Sequence, residues 1–258
     1  MLASRVIPCL LLMDGGLYKT VKFRDPRYLG DPLNAVRLFN EKLADELVIF
    51  DISKNRHGRG PDFSLLGKLA SESRMPLCYG GGISSLQDIE RLVSLGIEKV
   101  SLSSVAISNP KIIEQAISVF GSQSIVVTID VKRKGWLRTY EVSAANASVD
   151  TGLCPVDFAS RLEQLGVGEL IINNVDMDGL MAGYDFTLVR NIYEQANIPL
   201  AVVGGAGSLD DVSRLVDEFP FIGACAGSLF VYKGKHKAVL INYPSPEQKN
   251  LVLKVRAE

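Results

Sequence analysis

An acidic residue ends one apolar run of the sequence, and a matching run ends without one. IVVTIDVKR places Asp130 between apolar and basic residues, whereas RVIPCLLLMDG has Leu11 at the corresponding position. Two facing carboxylates at such positions would supply a general acid and a general base, with pKa values pushed apart by their proximity. Only one carboxylate is present, so the pattern predicts a catalytic Asp130 without a partner. Capping of the following loop is the alternative role for Asp130.

Two glycine-rich turns carry the second chemical signal. YGGGIS contains Gly81 and Gly82, and VGGAGS contains Gly204 and Gly205; each turn follows an apolar run and precedes a helical pattern. Backbone N–H groups at such turns and at helix N-termini can bind an anion. Small residues and hydroxyls follow the next apolar runs, at Ser103, Ser104, Gly227 and Ser228. The sequence therefore predicts two phosphate sites, with ligand-free tight turns as the alternative.

Eight short apolar runs must position these residues. They are Arg5 to Leu12, Glu46 to Asp51, Leu77 to Tyr79, Lys99 to Leu102, Ser124 to Asp130, Glu169 to Asn173, Leu200 to Val203 and Phe221 to Ala224. Amphipathic patterns separate them, including Pro32 to Ala44, Asp62 to Ser73, Leu86 to Leu95 and Leu209 to Glu218. The alternation predicts an α/β fold, a (β/α)8 TIM barrel occupying residues 1–258 as one domain, with its active site where the strands end. Glycine and aromatic residues within 132–151 predict an inserted hairpin.

An internal repeat shows how the barrel is built. Residues 46–93 align with residues 169–216 without a gap, at a shift of 123 residues and with 17 identities in 48 positions. Helical periodicity alone would not reproduce glycines and helix caps in register, so the chain is predicted to be a duplicated half barrel of four strand–helix units each. A slightly shorter shift aligns Leu11 with Asp130.

Composition limits the classes of partner. Lys and Arg number 28 against 29 acidic residues, which predicts no nucleic-acid or membrane partner. The N-terminal apolar run contains Pro8, precedes Asp14 and lacks a small-residue cleavage site, so it resembles neither a signal peptide nor a membrane span. Cysteines without a CxxC pair favour reduced, buried thiols in a cytoplasmic protein over disulfides or zinc, and the sequence indicates no metal or cofactor. They are Cys9, Cys78, Cys154 and Cys225.

Several segments together resemble the cyclase subunit of imidazole glycerol phosphate synthase over nearly the whole chain. They are MLASRVIPCLLLMDGGLYK, DELVIFDIS, YGGGIS, EKVSLSS, GSQSIVVTIDVKR, DMDGLMAGYD and VVGGAGS. The resemblance implies a barrel that takes ammonia from a glutaminase subunit at its N-terminal face and conducts it to the opposite mouth. There the family closes an imidazole ring on a substrate bearing two phosphates. By position, Asp130 is one of two family catalytic aspartates, and Leu11 replaces the other.

The resemblance also assigns residues at both ends of the barrel. Its salt-bridged ammonia gate corresponds to Arg5, Glu46, Lys99 and Glu169. Charges of both signs at the starts of buried strands are costly unless paired, so a closed ring of partners is expected. Lys19, on the first long loop, matches a catalytic position, and Asp51 and Asp178 match other mouth positions. Departures lie at the mouth, where Asn173 replaces a usual threonine and Val203 a common serine. The ammonia route should survive while ring closure is impaired.

Loss of one essential carboxylate bears directly on activity. General acid or base work contributes about 10²- to 10⁴-fold in rate, and leucine cannot perform it. We therefore expect a paralogue of the cyclase, similar to those that accompany a glutaminase homologue and a third protein, a sugar amidotransferase, in lipopolysaccharide or O-antigen biosynthesis. There an acetamido group becomes acetamidino, on a phosphorylated or nucleotide-sugar acceptor. A histidine-pathway cyclase of altered mechanism and a non-catalytic scaffold that activates its glutaminase are the alternatives.

Overall fold

The fold is seen in a computed structural model that describes residues 3–53 and 60–254. Its strands are β1 (Arg5–Met13), β2 (Gly16–Val21), β3 (Arg24–Gly30), β4 (Leu47–Asp51), β5 (Leu77–Gly80), β6 (Lys99–Leu102), β7 (Ile125–Lys134), β8 (Thr139–Ala144), β9 (Val149–Asp150), β10 (Glu169–Asn174), β11 (Leu200–Val203), β12 (Gly223–Ala226), β13 (Tyr232–Lys233) and β14 (Ala238–Val239). Its helices are α1 (Pro32–Glu41), α2 (Phe63–Glu72), α3 (Leu86–Ser94), α4 (Ser104–Ser108), α5 (Lys111–Phe120), α6 (Pro155–Gln164), α7 (Phe186–Tyr193), α8 (Leu209–Glu218), α9 (Ser228–Val231) and α10 (Pro246–Leu253).

Eight parallel strands close into a ring. The order is β1, β4, β5, β6, β7, β10, β11 and β12, and β12 pairs again with β1. Helices lie between successive strands of this ring along the chain, so the predicted (β/α)8 barrel is confirmed. The strands are apolar and almost entirely buried, because helices cover the outside of the barrel and side chains occupy its interior. Among the described residues, none of the helices is both long and apolar enough to span a bilayer.

The two halves begin their helices in the same way. In α3, Ser85 caps the helix and forms a capping box with Asp88. In α8, Ser208 and Asp211 form the same box at positions 123 residues later. Each box satisfies otherwise unpaired N-terminal amides, so the repeated residues specify repeated helix starts.

The core has two layers, one between strands and helices and a smaller one inside the barrel. The inner layer comprises Ile7, Cys9, Val48, Cys78, Val126, Ile171, Ala201, Val203 and Cys225. All four cysteines are free thiols, and three are buried as expected. The prediction of burial is wrong for Cys154, which is exposed because it precedes the surface helix α6 as its N-cap.

Hairpins extend the barrel where its strands end. β2 pairs antiparallel with both β1 and β3. β7 continues beyond the barrel and pairs antiparallel with β8, which pairs with β9. The turn between β7 and β8 carries Trp136, which is 95% exposed. The first hairpin corrects the expectation of a long loop; its second strand, Arg24–Gly30, is polar, contains Pro26 and lacks apolar alternation.

Candidate functional site

A cavity of about 460 Å³ opens at the end of the barrel where the strands finish. Its volume falls within the range typical of small-molecule sites, and its position is that of the active site in this barrel class. Most of the residues expected at the mouth line this one cavity. They are Leu11, Lys19, Gly81, Gly82, Ser103, Ser104, Asp130, Asn173, Asp178, Val203, Gly204, Gly205, Gly227 and Ser228.

Asp130 is held by its neighbour in the barrel. It lies opposite Asn173 in the register of β7 and β10, and Asn173 Nδ2 donates to Asp130 Oδ1 at 2.8 Å. Burial raises the pKa of the Asp130 carboxyl to about 7, the hydrogen bond from Asn173 opposes that rise, and Asp178 adds to it. A carboxyl with a pKa near neutrality can both accept and release a proton at working pH. Asp130 is therefore suited to general acid–base chemistry.

The other half of the mouth has an apolar pair in the same arrangement. Leu11 lies opposite Phe50 in the register of β1 and β4, and both residues line the cavity. Phe50 is 123 residues before Asn173, so the repeat replaces an acid–amide pair by a leucine–phenylalanine pair. Asp130 can exchange a proton at the mouth, whereas Leu11 and Phe50 offer only apolar contact.

Lys19 lies in β2 rather than in a loop, and it is already paired. Its Nζ donates to Asp178 Oδ1 at 2.5 Å and to the carbonyl oxygen of Thr20 at 3.0 Å. Asp178 also accepts from Thr20 Oγ1 at 2.8 Å and from the amide of Phe23 at 3.2 Å. This buried network fixes the first hairpin to the loop after β10, so Lys19 has a structural partner besides any ligand.

The glycine turns are required by close backbone contacts. Gly81 has φ +133°, and a Cβ there would lie 2.4 Å from the carbonyl oxygen of Asp51. Its equivalent Gly204 has φ +100°, and a Cβ would lie 2.6 Å from the carbonyl oxygen of Asn174. The Asp51 carboxylate accepts from the amide and hydroxyl of Ser53, at 3.1 and 2.5 Å. The Asp51 carboxylate therefore holds the loop that follows β4, and its backbone is the close neighbour of Gly81.

The helix N-termini after these turns are occupied by their own carboxylates. Asp88 accepts from the amide of Ser85 at 3.0 Å, and Asp211 accepts from that of Ser208 at 2.9 Å. A negative charge already stands at the start of each helix, where it would repel an anion. Phosphate binding at these turns stays a prediction, and it would depend on the turns themselves rather than on these two helix N-termini.

The serines beside the two turns differ in their surroundings. Ser104 Oγ accepts from the amide of Ala145 at 3.2 Å, which ties it to the hairpin that follows β7. Its counterpart Ser228 is 4% exposed, and its Oγ is a buried atom without a hydrogen-bond partner. A Cβ at Gly227 would lie 3.1 Å from Lys19 Cε, so the lysine stem packs against the glycine that precedes this second serine.

At the opposite end of the barrel, four charged side chains form a closed ring. Arg5 donates to Glu46 Oε2 at 2.6 Å and, through its other terminal nitrogen, to Glu169. Lys99 Nζ donates to both oxygens of Glu46, at 2.8 and 2.9 Å, and to Glu169 Oε2 at 2.8 Å. Each residue stands at or immediately before the start of its strand. Two cations and two anions thus alternate around the barrel axis.

Mutual attraction sets the charge state of this ring. Burial by itself would lower the pKa of Lys99, but the carboxylates of Glu169 and Glu46 outweigh it and raise that pKa above its ordinary value. The same balance raises the pKa of Arg5. Both cations are therefore held in their charged form, and removal of one member of the ring would leave a charge without its partner.

The described residues include no cluster of three or more His, Cys, Asp or Glu side chains placed to hold a metal ion.

Comparison with known proteins identifies the barrel. A family model described as histidine biosynthesis protein matches residues 5–237. The chain belongs to this family. A relative from Leptospira interrogans, provisionally named imidazole glycerol phosphate synthase subunit HisF, is 50% identical over 249 residues, or 96% of this chain and 98% of the relative. A provisionally named subunit from Vibrio vulnificus (strain YJ016) is 50% identical over 255 residues, 99% and 98% of the two chains.

Relatives named without that qualifier also align over most of the chain. The imidazole glycerol phosphate synthase subunit HisF of Lactococcus lactis (strain IL1403) is 37% identical over 232 residues, 90% of each chain. The chain is thus a HisF-like member of the histidine biosynthesis family.

Phe50 and Ala145 are among the contributors to the site that sequence reasoning missed. Phe50 was not singled out, although the 123-residue shift aligns it with Asn173 and could have identified it. Ala145 binds Ser104 through its backbone amide. Such a contact has no side-chain signature, so no sequence pattern indicates it.

Proposed function

We propose that the chain is the ammonia-receiving, HisF-like subunit of a glutamine-dependent amidotransferase complex. In this proposal a HisH-like glutaminase binds the face where the strands begin, and ammonia passes through the barrel to the mouth. The observation that carries the proposal is the closed ring of Arg5, Glu46, Lys99 and Glu169. The names of the HisF relatives support the same assignment.

The ring is hard to explain as a stabilising device alone. Replacing a buried ion network by apolar residues is often neutral or favourable for stability, and this face of a barrel ordinarily serves stability. An alternating ring around the axis, by contrast, can part to admit a small neutral molecule and close again without losing its charges. Below the ring the barrel interior is lined by small and apolar side chains such as Ala201, Val48 and Cys225, which suit passage of neutral ammonia.

The mouth supports chemistry that needs one proton-transferring group. Asp130 is available for that work, and Leu11 with Phe50 excludes a second carboxylate from the opposite half. We therefore favour the acetamidino pathway of lipopolysaccharide or O-antigen biosynthesis over imidazole ring closure. The acceptor would be a phosphorylated or nucleotide-sugar compound, either bound here or held by a third protein, a sugar amidotransferase. The proposal places the chain in the cytoplasm and treats residues 1–258 as one domain with a hairpin inserted at 132–151.

The test couples the barrel to its glutaminase. The two proteins are purified together, and glutamate release and acceptor amination are measured with glutamine and with free ammonia. Lys99→Ala should change the ratio of glutamine-dependent to ammonia-dependent activity by at least about fivefold, because it opens the ring without touching the mouth. Arg37→Ala, which breaks an exposed ion pair with Glu72, is the control and should leave the ratio unchanged.

Three outcomes would contradict the proposal. An unchanged ratio for Lys99→Ala would exclude the ring as a gate. Imidazole formation with free ammonia at an ordinary enzymatic turnover, about 1 to 10³ per second, would establish the histidine-pathway alternative. Full stimulation of the glutaminase by a barrel whose mouth binds no acceptor would establish the scaffold.

A further inference from the structure

Two hairpins at the mouth, β2–β3 and β13–β14, carry cations that have no partner of opposite charge. All six are exposed, and none forms an ion pair with another residue that the structure describes. They are Lys22, Arg24, Arg27, Lys233, Lys235 and Lys237. Asp25 is the single acidic residue within 16–30 and 232–239, whereas the chain as a whole has 28 basic and 29 acidic residues. The positive charge is therefore a local property of these two hairpins.

The two hairpins adjoin each other and border the cavity. The Arg27 guanidinium lies over the Tyr232 ring, 5.6 Å from its centroid, which joins β3 to β13. At the turn of the first hairpin, the Lys22 amide donates to the carbonyl oxygen of Asp178 at 3.0 Å. Pro26, between these two contacts, lines the cavity. The cations of both hairpins therefore lie together on one side of the mouth.

Exposed apolar side chains continue this border onto the β7–β8 hairpin. The loop after β10 connects the two hairpins, because Asp176 accepts from the Arg133 amide at 2.7 Å and Asp178 binds the first hairpin. The exposed apolar residues along the border are Val21, Tyr28, Trp136, Leu137 and Leu180. We call the border, made of residues 21–28, 133–138, 176–181 and 232–239, the rim surface.

The composition of the rim surface is that of a protein interface. Arginine and aromatic residues are enriched where two proteins meet, and side chains such as Trp136 carry most of the binding energy there. A bilayer anchor presents a continuous apolar face, whereas these apolar side chains are spread over two hairpins and a loop among cations. A nucleic acid would meet the cations through its phosphates but would leave the aliphatic Val21 and Leu180 without a partner. A protein with carboxylates around an apolar patch matches both features.

We propose that the rim surface docks a protein with an acidic surface, which closes the mouth and receives ammonia there. The inference rests on the proposed function for what is delivered, and it adds the docking surface and the charge of the partner. Ammonia released into open water would be protonated and diluted, so a closed contact at the mouth preserves it as a nucleophile. The ring that contains Lys99 lies at the opposite end of the barrel, so a glutaminase bound there leaves the rim surface free.

Calorimetric titration of the full chain with the purified sugar amidotransferase of the proposed complex measures the docking. We expect a complex whose affinity falls at least about tenfold when the ionic strength rises from about 0.05 to about 0.5 M, because salt screens exposed charges. Lys235→Glu/Lys237→Glu should weaken binding at least about tenfold, and so should Trp136→Ala, which removes an apolar anchor. The three side chains are exposed, so both variants should keep the wild-type Tm within about 2 °C.

A matched control separates the rim surface from the net charge of the chain. Lys68→Glu/Lys111→Glu makes the same change of charge on α2 and α5, at exposed residues outside the rim surface. This control should weaken binding less than about twofold. Equal weakening by the two double variants, or no complex with the wild-type chain, would overturn the inference.

Two further probes test other occupants of the rim surface. Vesicles of phosphatidylglycerol and phosphatidylcholine represent an anionic membrane, and a single-stranded RNA represents a nucleic acid. We expect neither probe to bind at an ionic strength of about 0.15 M. Binding of either probe that Lys235→Glu/Lys237→Glu abolishes would assign the rim surface to that occupant and overturn the inference.

The failure of this inference can be told apart from failure of the proposed function. In the mixture with the amidotransferase, the rim variants should lower glutamine-dependent amination and leave glutamate release by glutaminase and barrel alone unchanged. If they have no effect while Lys99→Ala still changes the activity ratio, the ammonia-receiving role stands and the docking inference is wrong. If they abolish docking while Lys99→Ala leaves that ratio unchanged, the rim surface stands and the ammonia gate is wrong.

Discussion

Replacing Asp130 by asparagine should stabilise the folded chain at neutral and alkaline pH. The carboxyl is 9% exposed, and burial raises its pKa from 3.8 to about 7. Because the folded-state pKa is the higher one, this group's contribution to stability is complete below about pH 4 and is lost as the pH rises through about 7. An asparagine of the same shape can still accept from Asn173 and carries no charge to desolvate.

The size of the effect follows from the two pKa values. The rise from 3.8 to about 7 is about 3 units. At about 1.4 kcal/mol per unit, the ionised carboxyl costs about 4 kcal/mol of unfolding free energy above pH 8, and about 2 kcal/mol at pH 5. The variant should therefore gain about 2–3 kcal/mol relative to wild type between pH 5 and pH 8. This difference between two pH values is insensitive to any constant effect of the substitution.

Urea unfolding at pH 5 and pH 8 measures this difference from the midpoints and slopes of both proteins. Asp150→Asn is the control of opposite sign: hydrogen bonds from Lys132 and Lys134 lower the pKa of that exposed carboxyl. Its contribution is complete above the unfolded pKa of 3.8 and is lost only at lower pH, so any effect of this variant on unfolding free energy should be the same at pH 5 and at pH 8. An Asp130→Asn advantage that is equal at both pH values, or larger at pH 5, would refute a raised Asp130 pKa.

Two further substitutions probe the mouth and the second glycine turn. Asn173→Leu should raise the pKa of Asp130 by about one to two units above its value of about 7, because a hydrogen bond to a charged group contributes about 1.5–3 kcal/mol. The pKa is measured by ¹³C NMR of the carboxyl. Phe50→Leu should leave this pKa unchanged, and equal shifts in the two variants would contradict the assigned hydrogen bond. Gly205→Ala should lower the urea midpoint far more than Gly234→Ala, since the new Cβ would lie 2.0 Å from a backbone oxygen at Gly205 and in open space at Gly234. Comparable decreases in the midpoint would show that the positive φ of both glycines, and not the close contact at Gly205, determines the loss of stability.

The barrel was predictable because its determinants are local and repeated. Apolar runs, capping residues such as Ser85 and Ser208, and glycines in register all recur at the 123-residue shift. Strand ends were less predictable: the last barrel strand begins at Gly223 rather than at Phe221, which has φ +65° and is exposed. An aromatic residue before a strand looks like part of it when only hydrophobicity is considered.

The two ends of the barrel differ in how far sequence could predict them. Charged residues at the starts of parallel barrel strands lie at the same end of the barrel. The parallel topology alone therefore brings Arg5, Glu46, Lys99 and Glu169 together. Contacts between loops have no such rule. Lys19 and Asp178 are 159 residues apart, and their pairing depends on a hairpin whose polar strands give no alternation signal. The mouth was therefore predicted residue by residue but not in its hydrogen bonds.

The exposed hairpin turn has a spectroscopic consequence. Trp136 is the single tryptophan of the chain and stands almost wholly in water at the tip of the β7–β8 hairpin. Its emission in the folded protein should already resemble that of the denatured chain, so tryptophan fluorescence would report poorly on global unfolding. The same exposure makes it a sensor for one event, the arrival of a macromolecule at the rim of the mouth. A blue shift on mixing with a candidate acceptor protein would register docking there before any turnover is measured.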